Sequence, residues 1–107
     1  MSRKRDMEAM ASLVGNSAAH VALLPGSSYA QKEASTYTDD AAEIAAGRTW
    51  NEKEIREVKK KALARAGSEI RRRIKAYGLA EKDFERYAQI AEGYIEAFVR
   101  ENMERKR

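Results

Sequence analysis

The chain contains no cysteine, one histidine and one proline. Without cysteine there is no disulfide, no thiol nucleophile and no thiolate ligand, and an intracellular, cytoplasmic setting is the expectation. The lone His20 argues against a zinc or other soft-metal centre, which draws on several His or Cys ligands. No apolar run approaches the roughly 20 residues that span a bilayer, so no membrane role is expected. Bulky apolar side chains are scarce as well. Val, Ile, Leu and Phe together number 17 of 107 residues, whereas Ala alone supplies 19. Ala buries little apolar area, so one domain over residues 1–107 has a thin core, and homodimerisation is expected to complete it.

Catalytic signatures are missing too. There is no phosphate-binding loop, no Gly-rich dinucleotide turn, and no pair of histidines one helical turn apart. A serine nucleophile needs a base, and His20 lies among Ala18, Ala19, Val21 and Ala22, where a packed helix residue is the simpler reading. Glu92 with Glu96, and Glu81 with Glu85, stand one helical turn apart without the His partners that carboxylate-bridged metal bundles use. The sequence therefore predicts a protein that is not an enzyme, with no cofactor, no metal and no small-molecule substrate.

What is present is helical. Met7, Met10, Leu13 and Val14 share a face of a first helix, with Asp6 as the expected N-cap. Gly15-Asn16-Ser17 is expected to break or kink it before Pro25-Gly26 ends it. The basic start followed by Ala11 to Leu24 has the outline of a signal peptide. Asp6, Glu8, Asn16 and His20 interrupt that pattern, so the segment reads as part of the fold. A second helix from Ser27 or Ser28 repeats Ala30, Ala34, Tyr37, Ala41 and Ile44 at steps of four and three, and Gly47 closes it.

The third helix is written at both ends. Asn51 and Glu54 form a capping box, Trp50 and Ile55 a hydrophobic staple, and Gly78 suits a left-handed closing residue. Residues 52–77 thus make one helix about 39 Å long at roughly 1.5 Å per residue. A fourth begins near Ala80 or Glu81, carries Phe84, Tyr87, Ala88, Ala91, Tyr94, Ile95 and Phe98 as its apolar stripe, and runs toward Arg105-Lys106-Arg107. No alternating β-branched segment occurs. The expected fold is all-α, a compact antiparallel bundle of about four helices in which the third and fourth form a hairpin covered by the first two.

Charge is distributed unevenly. Residues 1–50 carry five Lys or Arg against six Asp or Glu, and residues 51–107 carry 16 against 11. Nine of those bases fall within residues 56–75 against two acids. At about 100° per residue, the polar face holds two rows, with Lys60, Arg71 and Lys75 on one flank and Lys61, Arg65 and Arg72 on the other. Parallel rows of cations suit a phosphate backbone, which releases counterions whatever its base sequence. Charged faces are more often simply solvated, and acids of the fourth helix, such as Glu92, Glu96, Glu101 and Glu104, are positioned to neutralise part of the row. Two bases are misplaced in the apolar stripe: Lys59, whose stem can snorkel, and Arg73, which calls for a carboxylate such as Glu69.

The leading expectation is sequence-tolerant nucleic-acid binding through Lys60, Lys61, Arg65, Arg71, Arg72 and Lys75. The alternative is a helical interaction module working through the seam of Ala34, Tyr37 and Ala41. The charged fraction of 36% and only five Asn plus Gln give the composition a thermophile-like cast.

Overall fold

A computed structural model describes residues 2–104. Four α-helices follow one another: α1 (Arg3–Leu23), α2 (Ser28–Ala46), α3 (Glu52–Tyr77) and α4 (Phe84–Asn102), with a 3₁₀ turn at Glu81–Asp83 before α4. No strand occurs among the described residues. The bundle measures 43 × 26 × 23 Å, so its long dimension is close to the length of α3 alone.

Helix α1 is the hub. It packs against each of the other three helices, whereas α2 and α3 do not pack on one another. Ten of its 21 residues are buried, among them Gly15, Ser17, Ala18, Ala19 and Ala22, so its apolar surface is not confined to one stripe. A helix surrounded on several sides is expected to lose its amphipathic contrast. Contacts at matching levels fix the directions. Arg3 meets Glu54 and Asn16 meets Arg65, so α1 and α3 run parallel. Ser17 meets Ala34 and Asp6 meets Arg48, so α2 returns antiparallel to α1. Lys59 meets Glu96 while Arg71 meets Phe84, which makes α3 and α4 an antiparallel hairpin.

The expected break at Gly15 is absent, and α1 runs through it without interruption. Gly15 lies where α1 crosses α3. A Cβ built there would sit 2.7 Å from the Ala62 carbonyl oxygen and 2.8 Å from Arg65 Cβ. The glycine therefore serves close helix–helix approach, and the cost of glycine in a helix interior is accepted for that contact. The N-cap is Ser2, whose hydroxyl accepts from the Arg5 amide, in place of Asp6. Asp6 instead pairs with Arg48 at 2.6 Å.

The remaining boundaries follow local chemistry. Ser27 caps α2 through the Ala30 amide. The Asn51–Glu54 capping box is complete, with the Glu54 amide donating to Asn51 Oδ1 at 2.8 Å and the Asn51 amide donating to Glu54 Oε1 at 3.0 Å. Gly78 takes φ 68°, and the Leu79 amide reaches back to the Ile74 carbonyl at 2.9 Å, the Schellman closure its position implies. The start of α4 shifts to Phe84 because the 3₁₀ turn occupies the first acidic residues. The α4 helix ends at Asn102, and the expected terminal bases Arg105, Lys106 and Arg107 lie outside the described residues.

The core closes within one chain. Met10, Val14, Val58, Ile70 and Val99 are its largest fully buried apolar side chains, and Ala62, Ala66 and Ala91 bring the helices close enough to fill the space around them. Ala30, Ala34 and Ala41 of the α2 seam are all buried in the same molecule, and Tyr37 is half-buried. The seam read as a surface for another protein is used internally.

One buried polar chain links three helices. Ser17 Oγ lies 2.9 Å from the Leu13 carbonyl and 3.1 Å from that of Ala34. Thr38 Oγ1 donates to the same Ala34 carbonyl at 2.7 Å, which leaves it to accept from the Tyr94 hydroxyl of α4. This chain holds α2 where apolar contact with α4 is sparse.

Candidate nucleic-acid interface

The buried line of α3 runs through Val58, Ala62, Ala66, Ile70 and Ile74, successive steps of four. Each such step turns the line by about 40° relative to the helix axis, so it spirals from the α1 side toward α4. A straight stripe would have ended on Tyr77 with Ile74 at its edge. In the structure Ile74 is buried and Tyr77 is 53% exposed.

This spiral separates the two basic rows. On the flank turned toward α1 each cation has a partner within the molecule, with Arg65 and Arg72 still exposed. Lys61 pairs with Glu57 at 3.2 Å and with Glu8 of α1 at 3.7 Å. Arg65 Nε donates to Asn16 Oδ1 of α1 at 3.1 Å, and Arg72 is bonded to Glu69 at 2.7 Å. The other flank is open. Lys60, Arg71 and Lys75 are all exposed, and neither Lys60 nor Lys75 has an ion pair or side-chain hydrogen bond among the described residues.

Arg71 is held differently, by an aromatic face. Its guanidinium lies 4.0 Å from the centroid of Phe84, the first residue of α4. Beside it opens a cavity of about 200 Å³ lined by Arg71, Ile74, Lys75, Glu81 and Phe84. Among the described residues no α4 acid forms an ion pair with this row, and Glu81 of the preceding turn lines the cavity beside Arg71 and Lys75. Glu96 and Glu104 both turn to Lys59, at 3.1 and 4.0 Å, and so account for the cation that sat beside the apolar stripe.

Searches among known protein families, curated proteins and solved structures found no match to this chain.

Two residues of the open face escaped the sequence reading. Lys53 is exposed without an ion pair among the described residues. It stands seven residues before Lys60, two turns along the same face, a spacing that was available as a signal. Phe84 was read only as core, because nothing local says that one face of its ring would meet an arginine from another helix. The open row is thus Lys53, Lys60, Arg71 and Lys75, spanning about 33 Å at roughly 1.5 Å per residue.

Arg73 sits at a junction of three helices. Its Nε is 3.5 Å from Glu69 Oε1 and is buried without a hydrogen bond, while Nη1 donates to the Tyr77 hydroxyl at 3.1 Å. His20 from α1 has a buried Nδ1 without a hydrogen bond, 3.8 Å from Glu33 Oε1 of α2. Burial, and then the nearby charge of Arg73, hold the His20 pKa below its ordinary value. Glu69 is lowered as well: burial alone would raise its pKa, yet the Arg72 bond and the adjacent arginines outweigh it. The bonds of Arg73 and Glu69 stay within α3, and among the described residues the one polar contact between helices here is that of His20 with Glu33 at 3.8 Å. Among the described residues no cluster of His, Asp and Glu is arranged to hold a metal ion.

At the opposite end, the guanidinium groups of Arg3 and Arg48 lie over the Trp50 ring, at 5.2 and 6.0 Å from its centroid, and its Nε1 donates to the Ala45 carbonyl. Arg3 is in turn bonded to both carboxylate oxygens of Glu54 at 2.8 Å. These cations tie α1 to the start of α3.

Proposed function

We propose that the protein binds nucleic acid without an enzymatic step and without strong base preference, through the open row Lys53, Lys60, Arg71 and Lys75. The observation that carries this reading is the contrast between the two rows of α3: Lys61 and Arg72 pair with acids and Arg65 bonds to the Asn16 amide oxygen, whereas Lys53, Lys60 and Lys75 are exposed with no ion pair among the described residues. A row of side chains near 33 Å long gives several phosphates of one backbone a partner each.

The test is duplex binding at 50 and 200 mM salt. With four phosphate contacts, affinity should fall by about 150-fold across that range, since the logarithmic slope is about −0.9 per contact. Reversing Lys60 and Lys75 to Glu should abolish most binding. Reversing Lys61 should leave the salt slope unchanged and lower stability instead, because it breaks the pairs with Glu8 and Glu57. Equal loss from both changes would refute the assignment of the open row. No binding at 50 mM would refute the nucleic-acid reading. Homodimerisation is a separate proposal, checked by sedimentation in the same buffers.

A further inference from the structure

We infer that the cavity beside Arg71 is a slot for one unpaired nucleobase, so that the preferred ligand is single-stranded nucleic acid. This rests on the phosphate reading above and adds a stacking site to it. Three features converge at this place. The Arg71 guanidinium carbon lies over the Phe84 ring, 4.0 Å from its centroid, and the Arg71 side chain is exposed, so the group is open to a ligand. A guanidinium plane stacks on bases as aromatic rings do. The ring behind it belongs to the first residue of α4 and passes near Gly67, where an added Cβ would come within 3.8 Å of Phe84 Cζ.

The cavity is also matched to a base and not to a phosphate. Its volume of about 200 Å³ is on the scale of a single base, and its wall combines the apolar Ile74 and Phe84 with the Glu81 carboxylate. That carboxylate repels phosphate oxygens and only accepts hydrogen bonds, which suits the amine edge of a base. Lys75, on the rim, and Lys60, farther along the same face, are left to hold the backbone on either side. Paired bases inside a duplex cannot enter, so the slot distinguishes the two forms of nucleic acid.

The experiment measures fluorescence anisotropy of the full chain and of Arg71→Lys with five probes. These are a short mixed-sequence single strand in DNA and RNA form, the corresponding duplex, an abasic strand of equal length, and inorganic polyphosphate. Arg71→Lys keeps the charge and removes the plane, and its exposed position spares the fold, as a melting curve checks. The variant should lose about 5- to 150-fold on the single strand, the range expected for one stacked base, and almost nothing on the duplex, the abasic strand or polyphosphate. Phe84→Leu, which removes the ring that orients Arg71, should follow the same pattern. Equal binding of intact and abasic strands, or equal loss on all probes, would overturn the slot while leaving the phosphate row in place. Absence of binding to every probe at low salt would remove both.

Discussion

The two glycines at Gly15 and Gly93 should respond to the same substitution with opposite signs. Each lies inside a helix, so replacing either by Ala gains about 0.8–1 kcal/mol of helix propensity. At Gly93 an added Cβ meets nothing within 4 Å, and the gain should appear undiminished. At Gly15 the same Cβ would be 2.7 Å from the Ala62 carbonyl oxygen, 2.8 Å from Arg65 Cβ and 2.9 Å from Arg65 Cγ. Two of those atoms are backbone or are fixed to it, so no rotamer change relieves the clash. The helices must move apart, and overpacking of this kind costs about 1–3 kcal/mol. Because the obstruction is rigid, the upper half of that range applies, and Gly15→Ala should be destabilising by about 1–2 kcal/mol net. For a domain of this size each kcal/mol shifts the melting temperature by about 4–8 °C. Urea denaturation and thermal melts followed by circular dichroism should then show Gly15→Ala melting about 5–15 °C lower and Gly93→Ala a few degrees higher. Wild-type or greater stability in Gly15→Ala would refute the close approach of α1 and α3.

The buried polar chain should behave as one unit. Ser17→Ala and Tyr94→Phe are each expected to cost about 1 kcal/mol, and the double variant less than the sum, measured by a denaturation cycle. Two acid-linked losses of stability should also occur in separate windows. His20 has a folded-state pKa below 6.5, so it binds a proton more readily when unfolded, and stability should fall as pH drops below about 6.5. His20→Gln should flatten that step. Glu54 is held at about 2, against an ordinary 4.5, first by its Arg3 bond and then by the Asn51 amide. Its contribution is complete above about pH 4.5 and is lost on acidification toward pH 2, and Glu54→Gln should remove this second step in melts run across that range.

Much of the fold was legible because it is encoded within a few neighbouring residues. The capping box at Asn51 and Glu54, the left-handed Gly78 and the serine cap of α2 each satisfy backbone groups locally, and residues 52–77 form a helix with those limits. Absence of strands followed from the lack of alternating β-branched residues. The basic bias of α3 was equally plain, because charge along one helix needs no tertiary information.

Tertiary structure decided the rest. Gly15 reads locally as a helix breaker, and only the passage of α3 across it makes it a packing residue. The α2 alanines are ready for any partner helix, and the partner is α1 of the same chain. Most consequentially, two basic rows that are equivalent in sequence become different in the fold. Glu8 and Asn16 of α1 reach Lys61 and Arg65, while Phe84 of α4 meets Arg71. Lys61 and Arg72 also have acids of α3 itself within one turn, but Glu8, Asn16 and Phe84 are supplied by the helix that lies beside each flank. That part is a property of packing between segments distant in sequence, and no local pattern on α3 contains it.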